Sequence, residues 1–342
     1  MSEAAVDDVA RRYASRSPTT VRQDSERFVL TTLRAAWRWR SGVAAAMAIV
    51  MLAACSDVTI AAQRGCGTSG LPTTVAYARF GGVDPNLTSV DIHSPDGPCA
   101  APVVVWVHGG GYTIGDKTQQ MENKVRLFNQ RGWILVSVNY RLTRPGDSTS
   151  ARYPDHYSDV AAAVGWVRSH IADYGGDPQR IALLGHSAGA DIVSNVLLNP
   201  AYLDAVGMTA ADLACAGPLD SEGFDKFAAG TADIRGLQQE WRTALGNAPD
   251  YLRSTSANWL IAAGRDVPPI IGVVRGSTRR RAIETAFLTK LDAIGVPTTS
   301  IDASTLTHHE VNSRIGARGD RVMTPPLMRF LDRCLGVQVL DD

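Results

Sequence analysis

The stretch Gly185-His186-Ser187-Ala188-Gly189 sets a serine between two glycines where the sequence pattern changes. The apolar residues Ile181 to Leu184 before it predict a buried strand, and Ala190 to Leu198 after it predict a helix. A strand, Gly-x-Ser-x-Gly and a helix form the nucleophile elbow, a tight turn from which the serine hydroxyl projects. The glycines permit this turn because a Cβ there would clash with neighbouring backbone. Ser187 is therefore the predicted catalytic nucleophile.

A second motif, His108-Gly109-Gly110-Gly111-Tyr112, follows an apolar strand predicted for Pro102 to Val107. Consecutive glycines leave their backbone N–H groups unshielded. Such groups stabilise a developing oxyanion by ~3–4 kcal/mol per donor when they point into one space. We expect Gly110 and Gly111 to supply two of these donors, and the N–H of Ala188 to supply a third.

Together the two motifs resemble those of the α/β-hydrolase superfamily, in its HGGG esterase and lipase branch, which includes feruloyl-esterase-like enzymes and arylformamidases. The resemblance covers roughly residues 70 to 336. It implies an α/β-hydrolase fold, with a mostly parallel central sheet and helices on both faces. It also implies a carboxylesterase that acts on a small-molecule ester through an acyl-enzyme, with no metal or organic cofactor. Two alternatives stay open: an arylformamidase-type amide hydrolase, and a non-catalytic surface lipoprotein that keeps the fold.

Strands and helices alternate along most of the chain, which indicates a mainly parallel sheet. Thr73 to Phe80 and Leu87 to His93 are predicted to form two antiparallel strands before it, and residues 221–257 are a candidate for a small cap. The other predicted strands are Trp133–Asn139, Ala211–Pro218, Pro269–Val274 and Pro297–Ile301. The other predicted helices are Ser158–Tyr174, Thr278–Ile294 and Pro325–Leu335.

The catalytic base is expected near the carboxyl end of the chain. A serine hydroxyl needs a base to take its proton, and in this fold the base follows the last strand. The segment from Thr305 to Asn312 occupies that place and contains two adjacent histidines. The family pattern, a histidine before an acid-x-Asn run, favours His308 over His309. We expect His108 and His186 to shape their own loops.

The triad acid departs from the family pattern. The usual acid lies just beyond the strand that precedes the penultimate helix. Here Pro269 to Val274 is that strand, and Ser277 to Arg281 after it contains no carboxylate. Asp220, which follows the neighbouring strand, is the preferred acid. Asp266 has the right chain order but precedes its strand, so it is the alternative. Two further carboxylates stay open as candidates, Glu222 and Asp225.

The amino-terminal region differs in character from the rest. About twelve apolar residues, from Val43 to Ala54, follow a region that carries several arginines. This run is shorter than the ~20 residues of a membrane-spanning helix and fits the 7–15 residues of a signal-peptide core. The segment Leu52-Ala53-Ala54-Cys55 resembles a bacterial lipobox, in which the cysteine is lipidated. An uncleaved anchor and a plain secretory signal are the alternatives.

We therefore predict three regions: an amino-terminal extension with a lipoprotein-type signal peptide over residues 1–55, a tether over 56–70, and a hydrolase domain over 71–342. The expected protein is exported from a bacterium and bound to the membrane through lipidated Cys55, facing the periplasm or the exterior. Export favours disulfides, and the candidate pairs are Cys66–Cys99 and Cys215–Cys334. Two buried thiols are the alternative for the second pair.

The charge balance argues against a nucleic-acid partner. The chain has 34 basic and 34 acidic residues, and its formal net charge is zero. Nucleic-acid binding proteins carry clustered basic residues, and the main basic run is Arg279-Arg280-Arg281. We expect that run to lie on a solvated helix face. Cysteine and histidine spacings typical of zinc sites are also missing from the sequence.

Overall fold

The computed structural model describes residues 71–97, 99–221, 223–226, 241–246 and 249–337. The predicted extension, the tether and the lipidation site Cys55 lie outside these residues, and the candidate cap over 221–257 is described only in part.

Eight strands form one sheet in the described part of the chain. They are β1 Thr73–Ala76, β2 Ser89–His93, β3 Ala101–Val107, β4 Ile134–Val138, β5 Gly176–His186, β6 Cys215–Leu219, β7 Ile270–Val274 and β8 Thr298–Asp302. Their order across the sheet is β1-β2-β4-β3-β5-β6-β7-β8. β1 and β2 pair antiparallel, as do β2 and β4, and all the later pairs are parallel. The carboxyl ends of β3, β5, β6, β7 and β8 therefore share one edge.

Nine labelled helices accompany the sheet in the described residues. They are α1 Glu122–Gln130, α2 Asp155–His170, α3 Ala188–Leu198, α4 Pro200–Asp204, α5 Pro249–Ser254, α6 Ala257–Leu260, α7 Thr278–Ala293, α8 His308–Arg314 and α9 Thr324–Cys334. Residues 241–245 are also helical, and short 3₁₀ turns cover Pro85–Thr88, Ile171–Tyr174, Ala210–Asp212 and Gly223–Asp225.

The helices lie on both faces of the sheet, as predicted. Side chains alternate between the faces of a strand, so β3 contributes Val103, Val105 and Val107 to one core cluster and Val104 and Trp106 to the other. The first cluster contains apolar residues of α2, α3 and α7, and the second contains those of α1, α8 and α9. This two-sided burial explains why the parallel strands are apolar throughout. The expected α/β-hydrolase architecture is thus confirmed.

The predicted elements match the observed ones with shifted ends. The first strand stops at Ala76, and a 3₁₀ turn delays the second until Ser89. The helix predicted from Ser158 begins at Asp155 and ends at His170, where a 3₁₀ turn follows. Helices α1, α4, α5, α6 and α8 had no separate prediction.

A disulfide joins Cys215 at the amino end of β6 to Cys334 in α9, across a sequence separation of 119 residues. The second predicted pair, rather than two free thiols, is therefore present. Cys99 is also disulfide-bonded, and its predicted partner Cys66 lies outside the described residues. Within those residues, no helix is both long enough and apolar enough to cross a membrane.

Candidate active site

The turn between β5 and α3 holds Ser187 in a conformation that few residues adopt. Its φ is 60° and its ψ is −122°, in a region that is costly for a side-chain-bearing residue. A Cβ on Gly185 would come within 2.5 Å of the Gly189 carbonyl oxygen, and one on Gly189 within 2.3 Å of the Val107 oxygen. Both glycines of the motif are thus required by close backbone packing, and the strained turn presents the hydroxyl at the edge of the sheet.

Ser187 and His308 meet although 121 residues separate them. The Nε2 atom of His308 lies 2.8 Å from the Ser187 Oγ atom. His308 is the first residue of α8, and Thr307 and Glu310 cap that helix reciprocally. The cap satisfies backbone N–H groups that a helix start leaves without partners, so it fixes the backbone that carries the imidazole.

His309 points elsewhere. It is exposed, and its Nδ1 atom lies 3.2 Å from the Gln120 side-chain amide across the pocket. Of the two histidines that the sequence left open, only His308 is within hydrogen-bond distance of Ser187 in the described part of the chain.

Asp220 lies on the other side of His308. Its Oδ2 atom is 2.6 Å from the Nδ1 atom of His308, and its side chain is fully buried. It follows β6 directly and has a φ of 63°, which turns the carboxylate along the sheet edge toward α8. Ser187, His308 and Asp220 therefore form one continuous hydrogen-bonded chain.

The alternative acids do not reach the histidine. Asp266 is exposed and lines a separate surface pocket with Leu197 and Leu203, at the amino end of β7. Asp220 and Ser187 contact the two ring nitrogens of His308, while Asp225 lies in the 3₁₀ turn Gly223–Asp225 and Glu222 lies outside the described residues.

Two arginines hold the Asp220 carboxylate. Arg275, the residue that follows β7, donates from Nε to Oδ2 at 2.5 Å, and Arg280 donates from Nη2 to Oδ1. Burial by itself would raise the pKa of Asp220, but the hydrogen bond from His308 and the charges of Arg280 and Arg275 lower that pKa well below its ordinary value. Asp220 is thus held ionised.

The interpretation of the arginine run as a solvated face is wrong for Arg280, whose side chain is 15% exposed and paired with Asp220. Arg281 alone of the three is fully on the surface. Sequence reasoning missed this role, and it also missed Arg275. The sequence did contain one signal for this role: Arg275 directly follows β7, the strand after which the family pattern places its acid.

Glu284 of α7 is a second buried carboxyl beside Asp220. Its Oε2 atom accepts from the Arg275 backbone N–H at 3.0 Å. Burial, followed by the neighbouring charge of Asp220, raises the pKa of Glu284 to about 9. Two carboxylates this close resist ionising together, so Glu284 is protonated at neutral pH while Asp220 carries the charge.

The side chains of His186 and His108 form hydrogen bonds with backbone carbonyl oxygens, and the His186 ring also packs against the His308 ring. His186 Nε2 donates to the carbonyl oxygen of His308 at 2.9 Å. Burial and the charge of His308 lower the pKa of His186 to about 3, so it stays neutral. The Nδ1 atom of His108 lies 2.7 Å from the Gly109 oxygen, and its ring stacks on Tyr140. Both histidines thus brace the loops around Ser187.

The glycine loop after β3 forms the other wall of the site. Gly109 packs so closely on the elbow that a Cβ would come within 2.9 Å of the Ser187 Cβ atom. Gly110 and Gly111 have positive φ angles of 114° and 57°. Ala188 begins α3, so its N–H has no acceptor within the helix. Among the described residues, none of the N–H groups of Gly110, Gly111 and Ala188 has a hydrogen-bond acceptor. They are therefore free to receive an oxyanion.

A cavity of about 370 Å³ opens over the serine. Its lining consists of the glycine loop, the two histidines of α8 and polar side chains that include Gln119, Gln120 and Asn312. His186, Asp220 and His308 are close enough together to resemble a metal site. However, two guanidinium groups already occupy the Asp220 oxygens, so this constellation does not fit a cation.

Comparison with known proteins finds sequence similarity to carboxylesterases. Residues 86–222 match the sequence model of the carboxylesterase family. The probable carboxylic ester hydrolase LipM of Mycobacterium tuberculosis is 41% identical over 100 residues, which are 29% of this chain and 22% of that protein. The para-nitrobenzyl esterase of Bacillus subtilis is 35% identical over 119 residues, 33% of this chain and 24% of that protein. The chain thus matches about a quarter or less of the length of these relatives.

Solved structures share the fold over more of the chain. The inhibited esterase B of Lactobacillus rhamnosis has a TM-score of 0.63 at 16% identity and covers 78% of this chain and 89% of its own. Esterase Est2 of the planctomycete Thermogutta terrifontis has a TM-score of 0.60 at 22% identity, with 79% and 94% covered. With the sheet order and the elbow, these matches show that the chain has the α/β-hydrolase fold and that its residues 86–222 are similar to the carboxylesterase family.

Proposed function

We propose that the protein is a serine hydrolase that cleaves a carboxylic ester through an acyl-enzyme. The observation that carries the proposal is the hydrogen-bonded chain from Ser187 Oγ to His308 Nε2 at 2.8 Å and from His308 Nδ1 to Asp220 Oδ2 at 2.6 Å. An ordinary serine hydroxyl is a weak nucleophile, and an adjacent base oriented by a third group activates it. The matches to carboxylesterases over residues 86–222 support an ester as the substrate.

The reaction follows from the positions of these groups. His308 Nε2 accepts the Ser187 proton as the serine oxygen bonds to the carbonyl carbon. The N–H groups of Gly110, Gly111 and Ala188 stabilise the oxyanion of the tetrahedral intermediate. His308 then protonates the leaving alcohol, and water attacks the acyl-enzyme with the same base. Asp220 keeps the proton on Nδ1 of His308 and stabilises the imidazolium. No step in this sequence requires a metal or an organic cofactor.

Hydrolysis of p-nitrophenyl acetate and butyrate tests the proposal. Ser187→Ala should abolish turnover with a nearly unchanged thermal midpoint, because the small side chain removes only the nucleophile. His308→Ala should lower kcat by at least ~10³-fold, since base and nucleophile act as one unit. The matched control His309→Ala should change kcat far less. Wild-type turnover in the Ser187→Ala protein would contradict the assignment, and the reverse ranking of the two histidine variants would move the base to His309.

An amide substrate of the arylformamidase type is the second candidate, because the same groups cleave an amide. The two reactions are separated by measuring kcat/KM for formanilide beside the p-nitrophenyl esters. A higher kcat/KM for formanilide would favour the amide. A non-catalytic protein is the third candidate, and the contact of 2.6 Å between Asp220 Oδ2 and His308 Nδ1 supports a catalytic protein instead.

We also propose that Cys55 is lipidated and holds the protein to a bacterial membrane on its outer side. The lipobox-like segment before Cys55 supports this, and so does the Cys215–Cys334 disulfide, because disulfides persist in exported proteins. Cys55→Ala should release the protein from the membrane fraction. A single acyl chain binds only marginally, so two or more chains are expected. Retention of the variant with the membranes would point to an uncleaved helix instead.

A further inference from the structure

A further buried carboxylate lies in α3, the helix that follows Ser187. Asp191 stands in the first turn of α3, four residues after Ser187, and is 1% exposed. Lys226 donates from Nζ to its Oδ1 atom at 2.8 Å, and both side chains are buried. Lys226 also donates to the carbonyl oxygens of Gly223 and Thr255. The ammonium group therefore has three hydrogen-bond acceptors.

Tyr112 connects this pair to the glycine loop. Its hydroxyl donates to Asp191 Oδ2 at 2.5 Å. Tyr112 directly follows Gly111 and has a φ of 65°. The hydrogen bond of its hydroxyl therefore anchors a strained part of the loop backbone. The loop thus has a fixed attachment to α3, the helix whose first residue, Ala188, carries the third oxyanion donor.

The chain after the triad acid surrounds the same carboxylate. Lys226 lies six positions after Asp220, and a Cβ on Gly223 would come within 2.4 Å of Asp191 Oδ1. The glycine loop, the elbow helix and the segment after the acid therefore converge on Asp191. A buried ion pair adds little stability over an apolar substitute, so a positioning role explains its presence better than stability does.

We propose that the Asp191–Lys226 ion pair, acting through Tyr112, positions the oxyanion hole, so that the Gly110 and Gly111 N–H groups stay in register with that of Ala188. This inference rests on the proposed function. Asp191, Lys226 and Tyr112 are positioning residues, because none of them lines the cavity over Ser187. A displacement of about 1 Å at such a site lowers a rate by up to ~10²-fold.

Tyrosine variants give a matched test. Tyr112 and Tyr157 both donate to Asp191 Oδ2, at 2.5 and 3.0 Å, but Tyr157 belongs to α2 and is not attached to the glycine loop. Tyr112→Phe should lower kcat for p-nitrophenyl butyrate about 10- to 100-fold with little change in KM. Tyr157→Phe should lose a comparable amount of thermal stability and less than about threefold in kcat.

The affinity for a trifluoromethyl ketone, which forms a tetrahedral oxyanion adduct with the serine, separates positioning from a merely structural role. Tyr112→Phe should weaken this inhibitor by the same factor as kcat/KM, and Tyr157→Phe should leave it unchanged. Equal kcat in wild type and Tyr112→Phe, or equal losses in the two variants, would overturn the inference. Absence of any Ser187-dependent turnover in wild type would instead defeat the proposed function.

Discussion

Strands β6 and β7 lie side by side, run parallel and end at the same edge of the sheet, yet they carry opposite charges there. Asp220 directly follows β6, and Arg275 directly follows β7. The family places its acid after the second of these strands, and in this chain an arginine occupies that place and donates to the acid of the first. In this chain the carboxylate that contacts His308 therefore follows β6, and the end of the neighbouring strand supplies a compensating positive charge.

The largest expected effect is at the end of β6. Asp220→Asn should reduce kcat by about 10⁴-fold, because an amide neither stabilises the imidazolium nor secures the right tautomer. The matched control is Asp266→Asn at the amino end of β7, which should keep kcat near the wild-type value. Measured kcat for p-nitrophenyl butyrate compares the two. A large loss with Asp266→Asn and none with Asp220→Asn would reverse the roles of the strand ends.

An intermediate effect is expected from the guanidinium that reaches Asp220 from α7. Arg280 Nη2 lies 3.3 Å from His308 Nδ1, so its positive charge opposes the imidazolium. Arg280→Gln should therefore move the acidic limb of the kcat/KM profile to higher pH and change the maximal kcat by no more than about tenfold. Arg281→Gln, one residue along the same helix and exposed, should leave the profile in place. A limb that moves to lower pH would contradict the charge argument.

The smallest effect on activity is expected at Glu284. Its pKa is raised to about 9, so the side chain is neutral at pH 7 and an isosteric amide replaces it closely. Glu284→Gln should keep kcat within about threefold of wild type. The raised pKa of Glu284 contributes to the free energy of unfolding. This contribution is fully present below the pKa of the unfolded state, about 4.3, and it is lost as pH rises toward the pKa of the folded state, about 9.

Thermal midpoints measured from pH 5 to 9 check the direction of this pH dependence. The wild-type midpoint should fall across this range relative to that of Glu284→Gln. A wild-type curve parallel to that of the variant would mean that Glu284 is ionised in the folded protein.

How far the sequence predicts the site depends on distance along the chain. Ser187 and the glycine loop are contiguous motifs with their own strands, so local pattern is enough to find them. His308 and Asp220 needed the order of strands as well, because they lie 121 and 33 positions from the serine. Asp266 precedes β7 and Asp220 follows β6, and this difference in position favoured Asp220 over Asp266 as the acid.

The remaining contacts had no local signal. Arg280 pairs with Asp220 across 60 residues, and Lys226 pairs with Asp191 across 35. Both pairs form because the order of strands in the sheet brings particular loops together. In the sequence alone, a single lysine or a run of arginines indicates a charged surface. The helix that carries His308 was missed for a related reason: it is only seven residues long, and its capping box is clear only once the helix is known.

Labelling by a fluorophosphonate tests the central claim most directly, that Asp220 and His308 activate Ser187. We expect one label per wild-type molecule, located at Ser187 by mass spectrometry. Labelling should be equally fast in Asp266→Asn and much slower in Asp220→Asn, and it should not occur in Ser187→Ala. Wild-type protein that stays unlabelled, or Asp220→Asn that reacts as fast as wild type, would contradict it.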